Sequence, residues 1–328
     1  MESAGLPITA LIAGLIAMAP AFSQPLELVA TIEMPGVKGR IDHFAVDLNG
    51  KRLFMAALGN DTVEVLDIAG NRHVRSLKGF KEPQGLGYLP DGNRLFVANG
   101  EGARLDVLDA GSFSVVKRVE SLDDADNVRL DATAGTLIVG YGSGALRMMD
   151  AQTHERLADI RLAGHPESFQ LETGGARVFV NVPTVHQIAV ADRAKRQVVA
   201  TWPVTRAGRN FPMALDERGR RLFVGARSPA LLLVYDIDSG KLVATTPIGG
   251  DTDDLFFDRE RKRLYVVCGE GRVDVLRPES VDRYTLEASI KTAPRARTGF
   301  FAPEMNKLFV AAPLEGSSAA RVLVYEVK

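Results

Sequence analysis

One hydrophobic pattern recurs along most of the chain. A basic or polar residue precedes three apolar positions, as in Arg52-Leu53-Phe54-Met55 and Arg94-Leu95-Phe96-Val97. The second residue of each copy, which we call the anchor, is Leu53, Leu95, Leu137, Val178, Leu222, Leu264 or Leu308. The steps between successive anchors are 42, 42, 41, 44, 42 and 44 residues. Repetition at this period is typical of β-propellers, so the chain contains seven copies of one structural unit.

Each copy carries the signals of four short strands. A first apolar run ends in an acidic residue six positions before the anchor, as at Asp47 and Asp216, and a tight turn follows. After the anchor strand comes a third apolar strand, for example residues 63–67, and then a more polar fourth strand, for example residues 114–119. No helical periodicity intervenes. The pattern predicts an all-β fold, a seven-bladed β-propeller with four antiparallel strands per blade.

The two ends of the repeat region complement each other. The seventh copy stops at Lys328, after its third strand, whereas residues 26–33 precede the first copy and read like a fourth strand. A strand with an unpaired edge is a liability that closed rings remove. We therefore expect the N-terminal strand to complete the last blade and close the ring.

The first 23 residues differ from the repeats. Residues 8–18 are almost wholly apolar, and small residues offer cleavage sites after Ala21 or Ser23. This pattern predicts a signal peptide at residues 1–23 and a propeller at 24–328, in a periplasmic or secreted protein. The segment carries Glu2 and no Lys or Arg, which leaves a misassigned start codon or an uncleaved anchor as alternatives. No later segment is apolar for long enough to predict a membrane span in the mature chain.

Composition narrows the function classes. The 40 basic and 41 acidic side chains give a net charge of -1, so no overall field favours nucleic acid. Cys268 is the only cysteine, which excludes an internal disulfide and any zinc, haem or iron–sulfur site that needs several cysteines. At the end of a predicted strand, Cys268 is expected to be a small buried side chain.

Polar residues concentrate where the inner strand of each blade begins. Sites on propellers are built on the loops at one end of the channel, the mouth, where these strands start. Ten residues before the anchors lie His43, Gly85, Asn127, Ser168, Pro212, Asp254 and Thr298, and one residue earlier lie Asp42, Gln84, Asp126, Glu167, Phe211, Asp253 and Arg297, with Asn210 beside Phe211. From these positions we predict a ligand-binding site that comprises Asp42, His43, Gln84, Asp126, Asn127, Glu167, Asn210, Asp253 and Arg297.

The residue types at the mouth allow several kinds of chemistry. Clustered carboxylate and amide oxygens suit a divalent cation such as Ca²⁺ or Mg²⁺. Close carboxylates also raise each other's pKa, which would equip one of them as a general base, and His43 and His165 are further candidates for a catalytic base. The alternative is a solvated channel lining with no ligand, because Asp and Asn often begin strands as turn caps.

The repeat resembles a known family. The block Leu95-Phe96-Val97-Ala98-Asn99 and the spacing in Val63-Glu64-Val65-Leu66-Asp67 resemble the YVTN repeat of bacterial seven-bladed propellers, over residues 26–328. Phe replaces Tyr in most copies. The resemblance implies an exported protein with a binding role. Lactonase-like propellers, which are related, hold a divalent cation with Glu, Asn and Asp from inner strands, and Glu167, Asn127, Asn210 and Asp254 are similar in type, so they are the candidate metal ligands.

Three further residues lie outside these rings. Arg129 lies two positions deeper in the channel than Asn127, and we expect it to pair with a neighbouring acid. His73 and His154 fall in outer-strand segments, and we expect both to be exposed to solvent.

The repeat and the polar residues of the mouth are compatible with two main functions. The first is an exported scaffold that binds a protein, a peptide or a small-molecule ligand at the polar mouth. The second is a divalent-metal-dependent hydrolase of the lactonase or esterase type. Single-stranded nucleic-acid binding is the least favoured alternative, because few aromatic residues accompany the basic residues of this face.

Overall fold

The computed structural model describes Met1, residues 24–316 and residues 318–328. In this part of the chain, seven antiparallel sheets of four strands each form a β-propeller, as predicted. Apart from Met1, the predicted signal segment lies outside the described residues.

The strands follow the predicted repeat closely. Their bounds are β1 Leu26–Met34; β2 Phe44–Asp47, β3 Arg52–Ala57, β4 Thr62–Asp67 and β5 Arg72–Lys78 in blade 1; β6 Pro83–Leu89, β7 Arg94–Asn99, β8 Arg104–Asp109 and β9 Val115–Glu120 in blade 2; β10 Val128–Asp131, β11 Thr136–Tyr141, β12 Ala145–Asp150 and β13 Arg156–Arg161 in blade 3; β14 Phe169–Leu171, β15 Arg177–Val182, β16 Gln187–Asp192 and β17 Gln197–Pro203 in blade 4; β18 Gly208–Asp216, β19 Arg221–Ser228, β20 Ala230–Asp236 and β21 Leu242–Pro247 in blade 5; β22 Thr252–Asp258, β23 Arg263–Cys268, β24 Arg272–Ser280 and β25 Arg283–Lys291 in blade 6; and β26 Thr298–Ala302, β27 Lys307–Ala312 and β28 Ala320–Val327 in blade 7. Short 3-10 turns occur at Leu58–Asn60, Pro183–Val185 and Pro303–Met305. Among the described residues, no helix has the length and apolarity to cross a membrane.

The ring is closed by the two ends of the propeller. Blade 7 has the strand order β1-β28-β27-β26, so its outermost strand comes from the beginning of the chain. The pairing of β1 with β28 is antiparallel and runs from Leu26 opposite Val327 to Met34 opposite Ala320. The predicted completion of the last blade by the N-terminal strand is confirmed.

The core lies between neighbouring blades. The residue after each anchor is almost completely buried in every blade, at Phe54, Phe96, Ile138, Phe179, Phe223, Tyr265 and Phe309. These side chains pack in clusters that join consecutive blades; Phe309 and Met55, for example, belong to the cluster between blades 7 and 1. Burial of such large apolar side chains stabilises the ring by roughly 1.5–3 kcal/mol each. Each repeat therefore contributes a large buried side chain at the same position to the packing between blades.

Acidic residues close the tight turns on the side of the ring opposite the mouth. In five blades, the Asp that ends the third strand accepts a hydrogen bond from the backbone N–H three residues later, over 2.7–3.0 Å; these residues are Asp67, Asp109, Asp150, Asp192 and Asp236. Between the first and second strands, Asp47 accepts the N–H of Gly50 in the same way, at 2.9 Å. In these turns the carboxylates accept hydrogen bonds from backbone N–H groups that have no backbone acceptor, so their role is structural.

Three side chains outside the mouth test the sequence predictions. Cys268 is buried, as predicted. The prediction that His73 and His154 are exposed is wrong. His73 lies on β5, where its Nε2 is 2.7 Å from the buried carboxylate of Glu64. His154 lies in the turn before β13 and packs edge-on against Phe96, with ring centroids 5.7 Å apart. Each imidazole is partly buried by a contact that the pattern of apolar and polar residues along the strands does not predict.

The ring closure yields a prediction about stability. Ile32 of β1 is fully buried, whereas Leu28 of the same strand is 52% exposed. We expect Ile32→Ala to lower the free energy of unfolding by about 2–5 kcal/mol, because it leaves a cavity between blades 7 and 1. The matched control Leu28→Ala should change it by less than about 0.5 kcal/mol. Urea unfolding of both variants measures the difference, and equal losses would contradict the role assigned to this strand.

Candidate functional site

The mouth residues are held by a repeated backbone bridge. In blade 1 the N–H of Asp42 donates to Ala56 O at 2.8 Å, and the N–H of Ala56 donates to His43 O at 2.9 Å. The same two bonds hold Asp126 and Asn127 against the second strand of blade 3, at 2.9 Å each. In blade 4 they fix the backbone of Glu167 at 3.0 Å. Rigid strands therefore position three of the predicted carboxylates.

His43 lies at the centre of the mouth. Its Nε2 is 3.6 Å from both Asp42 Oδ1 and Asp126 Oδ1, and its Nδ1 is 3.8 Å from Asp254 Oδ1. Asn127 Nδ2 lies 3.2 Å from His43 Nε2. One imidazole thus lies close to four other side chains of the mouth, which come from blades 1, 3 and 6.

This environment keeps the imidazole of His43 charged. Burial alone would lower the pKa of His43, but the carboxylates of Asp42, Asp126 and Asp254 outweigh it and raise the pKa to about 10. In turn, burial would raise the pKa of Asp126, but contacts with His165 and His43 hold it well below its usual range. His43 therefore acts as an internal cation that compensates the surrounding carboxylates.

Glu167 is the carboxyl group of the mouth that lacks a hydrogen-bond or ion-pair partner among the described residues. Its side chain is partly exposed, and it forms no hydrogen bond or ion pair with any described residue. Burial and the negative charge of Asp126 raise the pKa of Glu167 to about 8, against the opposing effect of His165. At neutral pH this carboxyl group holds a proton and has no partner to which to donate it.

Two other carboxyl groups also hold protons more tightly than usual. Burial raises the pKa of Asp254 to about 7, although His43 and the backbone N–H of Gly299, which donates to Asp254 Oδ2 at 2.8 Å, oppose the shift. Burial likewise raises the pKa of Asp42 to about 6, against His43 and Arg40. Arg40 donates to Asp42 at 2.7 Å. The mouth therefore contains carboxyl groups that titrate near neutral pH.

Blade 6 places a second charge cluster beside the first. Arg297 Nε lies 2.9 Å from Asp253 Oδ2, and Arg297 Nη1 lies 3.1 Å from Asp251 Oδ1. Arg227, from blade 5, pairs with Asp253 from the other side and stacks on Phe211 at 4.0 Å from the ring centroid. Asp253 and Arg297 were predicted as ligand-binding residues, and here they bind each other.

The remaining predicted residues divide between the mouth and the blade interfaces. Gln84 is buried, and its Nε2 donates to Asp124 Oδ1 at 3.3 Å. Asn210 is completely buried and donates to Asn181 Oδ1 at 3.0 Å, so its amide nitrogen serves the packing of blade 5 on blade 4. The side-chain oxygens of Asn127 and Asn210 are buried and accept no hydrogen bond from the described residues.

The arrangement of the mouth residues can be compared with the requirements of metal binding and of general-base catalysis. Over residues 24–316 and 318–328, no group of three or more His, Cys, Asp or Glu side chains is arranged to hold a metal ion. The two histidines are also not ready to act as bases. His43 is protonated. Burial alone would lower the pKa of His165, but the carboxylate of Asp126 and the carbonyl of Gly142 raise it to about 9. A general base must be deprotonated at working pH. In the arrangement seen here, both rings are hydrogen-bond donors.

A repeated feature of the rim was not predicted. Thirteen residues before the anchor, five blades have a charged residue with φ between 45° and 60°, at Glu82, Asp124, Arg209, Asp251 and Arg295. The left-handed region costs a residue with a Cβ atom roughly 1–2 kcal/mol, and glycine would avoid that cost. Aligning the sequence at this offset would have revealed the ring of charges, although not its conformation.

Comparisons with known proteins identify the fold. No protein-family model and no curated protein matches the chain. Among solved structures, a chain of Kuenenia stuttgartiensis hydrazine synthase is similar with a TM-score of 0.74 and 18% identity, over 88% of this chain and 97% of that chain. A chain in the crystal structure of the mitotic checkpoint complex is similar with a TM-score of 0.78 and 14% identity, over 98% of this chain and 99% of that chain. At this identity the likeness shows the propeller fold alone.

The raised pKa of Glu167 predicts a pH-dependent stability. The folded protein holds this proton up to about pH 8, whereas an unfolded glutamate releases it near pH 4.3. The protein is therefore progressively destabilised as the pH rises through this window. We expect Glu167→Gln to leave the thermal unfolding midpoint unchanged at pH 4 and to raise it at pH 9.

The control for this measurement is Glu101→Gln, which changes an exposed carboxyl group between β7 and β8 of blade 2. It should change the midpoint little at either pH. A Glu167→Gln variant that matches the wild type at pH 9 would show that Glu167 is ionised without cost, contrary to this description.

Proposed function

We propose that this propeller is a binding protein that accepts a basic group of a protein, a peptide or a small ligand at the mouth of its channel. The observation that carries the proposal is the carboxyl group of Glu167, which lies among Asp42, Asp126 and Asp253 with no partner in the described part of the chain. An ammonium or guanidinium group beside Glu167 would supply the missing donor and allow the carboxyl group to ionise.

The surroundings of Glu167 favour such a cation. Desolvated carboxylates form charge-assisted hydrogen bonds that are shorter and about twice as strong as neutral ones. Because the backbone bridges fix Asp126 and Glu167, a ligand would meet acceptors that are already in place, which reduces the entropic cost of binding.

The fold is compatible with a scaffold role. The similar chain in the mitotic checkpoint complex belongs, by the name of its structure, to a complex. This supports protein binding as a use of the propeller, although the residues of the mouth are what argue for it in this chain.

The two alternative functions find less support. A metal-dependent hydrolase requires a metal centre, and His43 already compensates Asp42, Asp126 and Asp254 as a cation. Binding of single-stranded nucleic acid requires several free cations, and two of the basic residues of this face, Arg227 and Arg297, are paired with Asp251 and Asp253. Neither function gains a specific observation from the structure.

We also propose that the chain belongs to the YVTN-repeat propellers and that residues 1–23 direct its export to the periplasm or the medium. The supporting observations are the repeat itself and the apolar segment followed by small residues. The intact mass of the exported protein tests the second point, because cleavage would leave a chain that begins at residue 22 or 24. A mass that includes Met1 would favour the uncleaved anchor.

The proposed ligand class can be tested with capped amino acids. We expect N-acetyl-lysine amide and N-acetyl-arginine amide to bind in saturation-transfer NMR, and N-acetyl-norleucine amide, which lacks the charge, to bind much more weakly. Since Glu167 must lose a proton with a pKa of about 8, the dissociation constant should rise about tenfold for each pH unit below that value.

Two variants decide whether Glu167 is responsible. Glu167→Gln should abolish both the preference for the cation and its pH dependence, whereas Glu101→Gln should preserve them. Binding that is indifferent to the charge of the probe, or that persists unchanged in Glu167→Gln, would refute the proposed function.

A further inference from the structure

A separate cavity lies in the channel beneath the mouth. Its volume is about 380 Å³, and His43 and Asp254 contribute to its lining at the end nearest the mouth. Apolar side chains, including Leu86, Phe256 and Phe301, share the rest of the wall with polar groups. Cavities of roughly 300–1,000 Å³ that combine apolar side chains with a few placed polar groups are typical of small-molecule sites.

Arg129 is the cation of this wall that lacks a counter-charge. Its Nη1 donates to the backbone oxygen of Val128 at 2.9 Å, and its guanidinium lies 5.5 Å from the ring centroid of Phe169. Among the described residues, no carboxylate forms an ion pair with it, so the predicted pairing with an acid is wrong. By contrast, Arg40 and Arg227 at the mouth above are each paired with an aspartate.

The electrostatic cost of this arrangement supports a ligand. Burial lowers the pKa of Arg129, even though Asp254 and Asp126 attract its charge from a distance. Arg129 is only partly exposed, so a charge there without a counter-charge is destabilising, and arginine remains protonated rather than losing its charge. The planar guanidinium group matches a carboxylate in a two-point hydrogen bond, which would remove the cost.

The neighbouring blades leave room for such a ligand. The position of Arg129, eight residues before the anchor, is occupied by Ala45 in blade 1 and Gly87 in blade 2, and by Phe256 and Phe300 in blades 6 and 7. All of these residues line the cavity. Small residues on one side and aromatic rings on the other make a slot whose only unpaired charge, within the part of the chain that is described, is Arg129.

We propose that this cavity binds a small organic carboxylate with an apolar or aromatic body, whose carboxylate pairs with Arg129 and whose body contacts Phe256 and Phe300. This site uses different residues from the basic-group site at Glu167 and takes a ligand of opposite charge.

The test compares probes that differ only in charge. Benzoate and 3-phenylpropionate are titrated into the wild-type protein by ligand-observed NMR, beside the neutral benzamide and the cationic benzylamine. We expect the carboxylates to bind at least about tenfold more tightly than the amide, as expected for a charge-assisted hydrogen bond. Equal binding of benzoate and benzamide, or tighter binding of benzylamine, would overturn the proposal.

Two variants assign the binding to the cavity. Arg129→Met should abolish the preference for carboxylates and should not lower the thermal midpoint of the ligand-free protein, because it removes a partly buried charge that has no counter-charge. A structural arginine would give the opposite shift in midpoint. The control Arg161→Met, an exposed residue on β13, should leave binding unchanged.

Ala45→Phe provides an independent test that retains Arg129. It places in blade 1 the residue that blades 6 and 7 carry at the same position, and it fills the slot. We expect it to prevent binding of benzoate and 3-phenylpropionate. Unchanged binding in either Arg129→Met or Ala45→Phe would overturn the proposal, and neither change alters Glu167, so its outcome is separable from that of the mouth.

Discussion

The antiparallel pairing of β1 with β28 closes the ring, and the positions of all mouth residues depend on it. Blade 7 obtains its outermost strand from the start of the propeller, and the pairing runs the length of the strand from Leu26 to Met34. Closure holds the first strands of all blades around one channel. His43 of blade 1 and Asp254 of blade 6, which are distant in the chain, meet there only because the ring is complete.

The crowding of carboxyl groups at the mouth would be unstable without compensation, and the protein compensates them in three ways. His43 provides an internal positive charge among Asp42, Asp126 and Asp254. Arg227 and Arg297 neutralise the cluster of blade 6. Glu167 retains a proton. Because Glu167 is neutralised by a proton and not by another side chain, a cationic ligand can take the place of that proton. The proposed function therefore depends on Glu167.

The sequence predicts the architecture of this protein far better than its chemistry. The anchor positions predict the number of blades, the closure of the ring and the two rings of residues at the mouth. This is possible because the alternation of apolar and polar residues and the turn sequences determine where the backbone runs. They do not determine which side chains meet. The pairing of Asp253 with Arg297, the orientation of Asn210 toward Asn181 and the inward contacts of His73 and His154 depend on rotamers and on neighbours from other strands. Arg129 shows the same limit, since its place in the channel is predicted and its lack of an acidic partner is not.

Buried charges at the mouth are balanced with His43 as a cation, and the ionisation state of the His43 ring is the direct test of this balance. Long-range ¹H–¹⁵N NMR spectra of the imidazole, assigned with His43→Gln, report the protonation of both ring nitrogens as the pH is raised. We expect both nitrogens to remain protonated at pH 8, because the surrounding carboxylates raise the pKa of His43 to about 10. A ring that becomes neutral near the ordinary histidine value of about 6.5 would mean that the carboxyl groups around it are not charged, and the description of the mouth would be wrong.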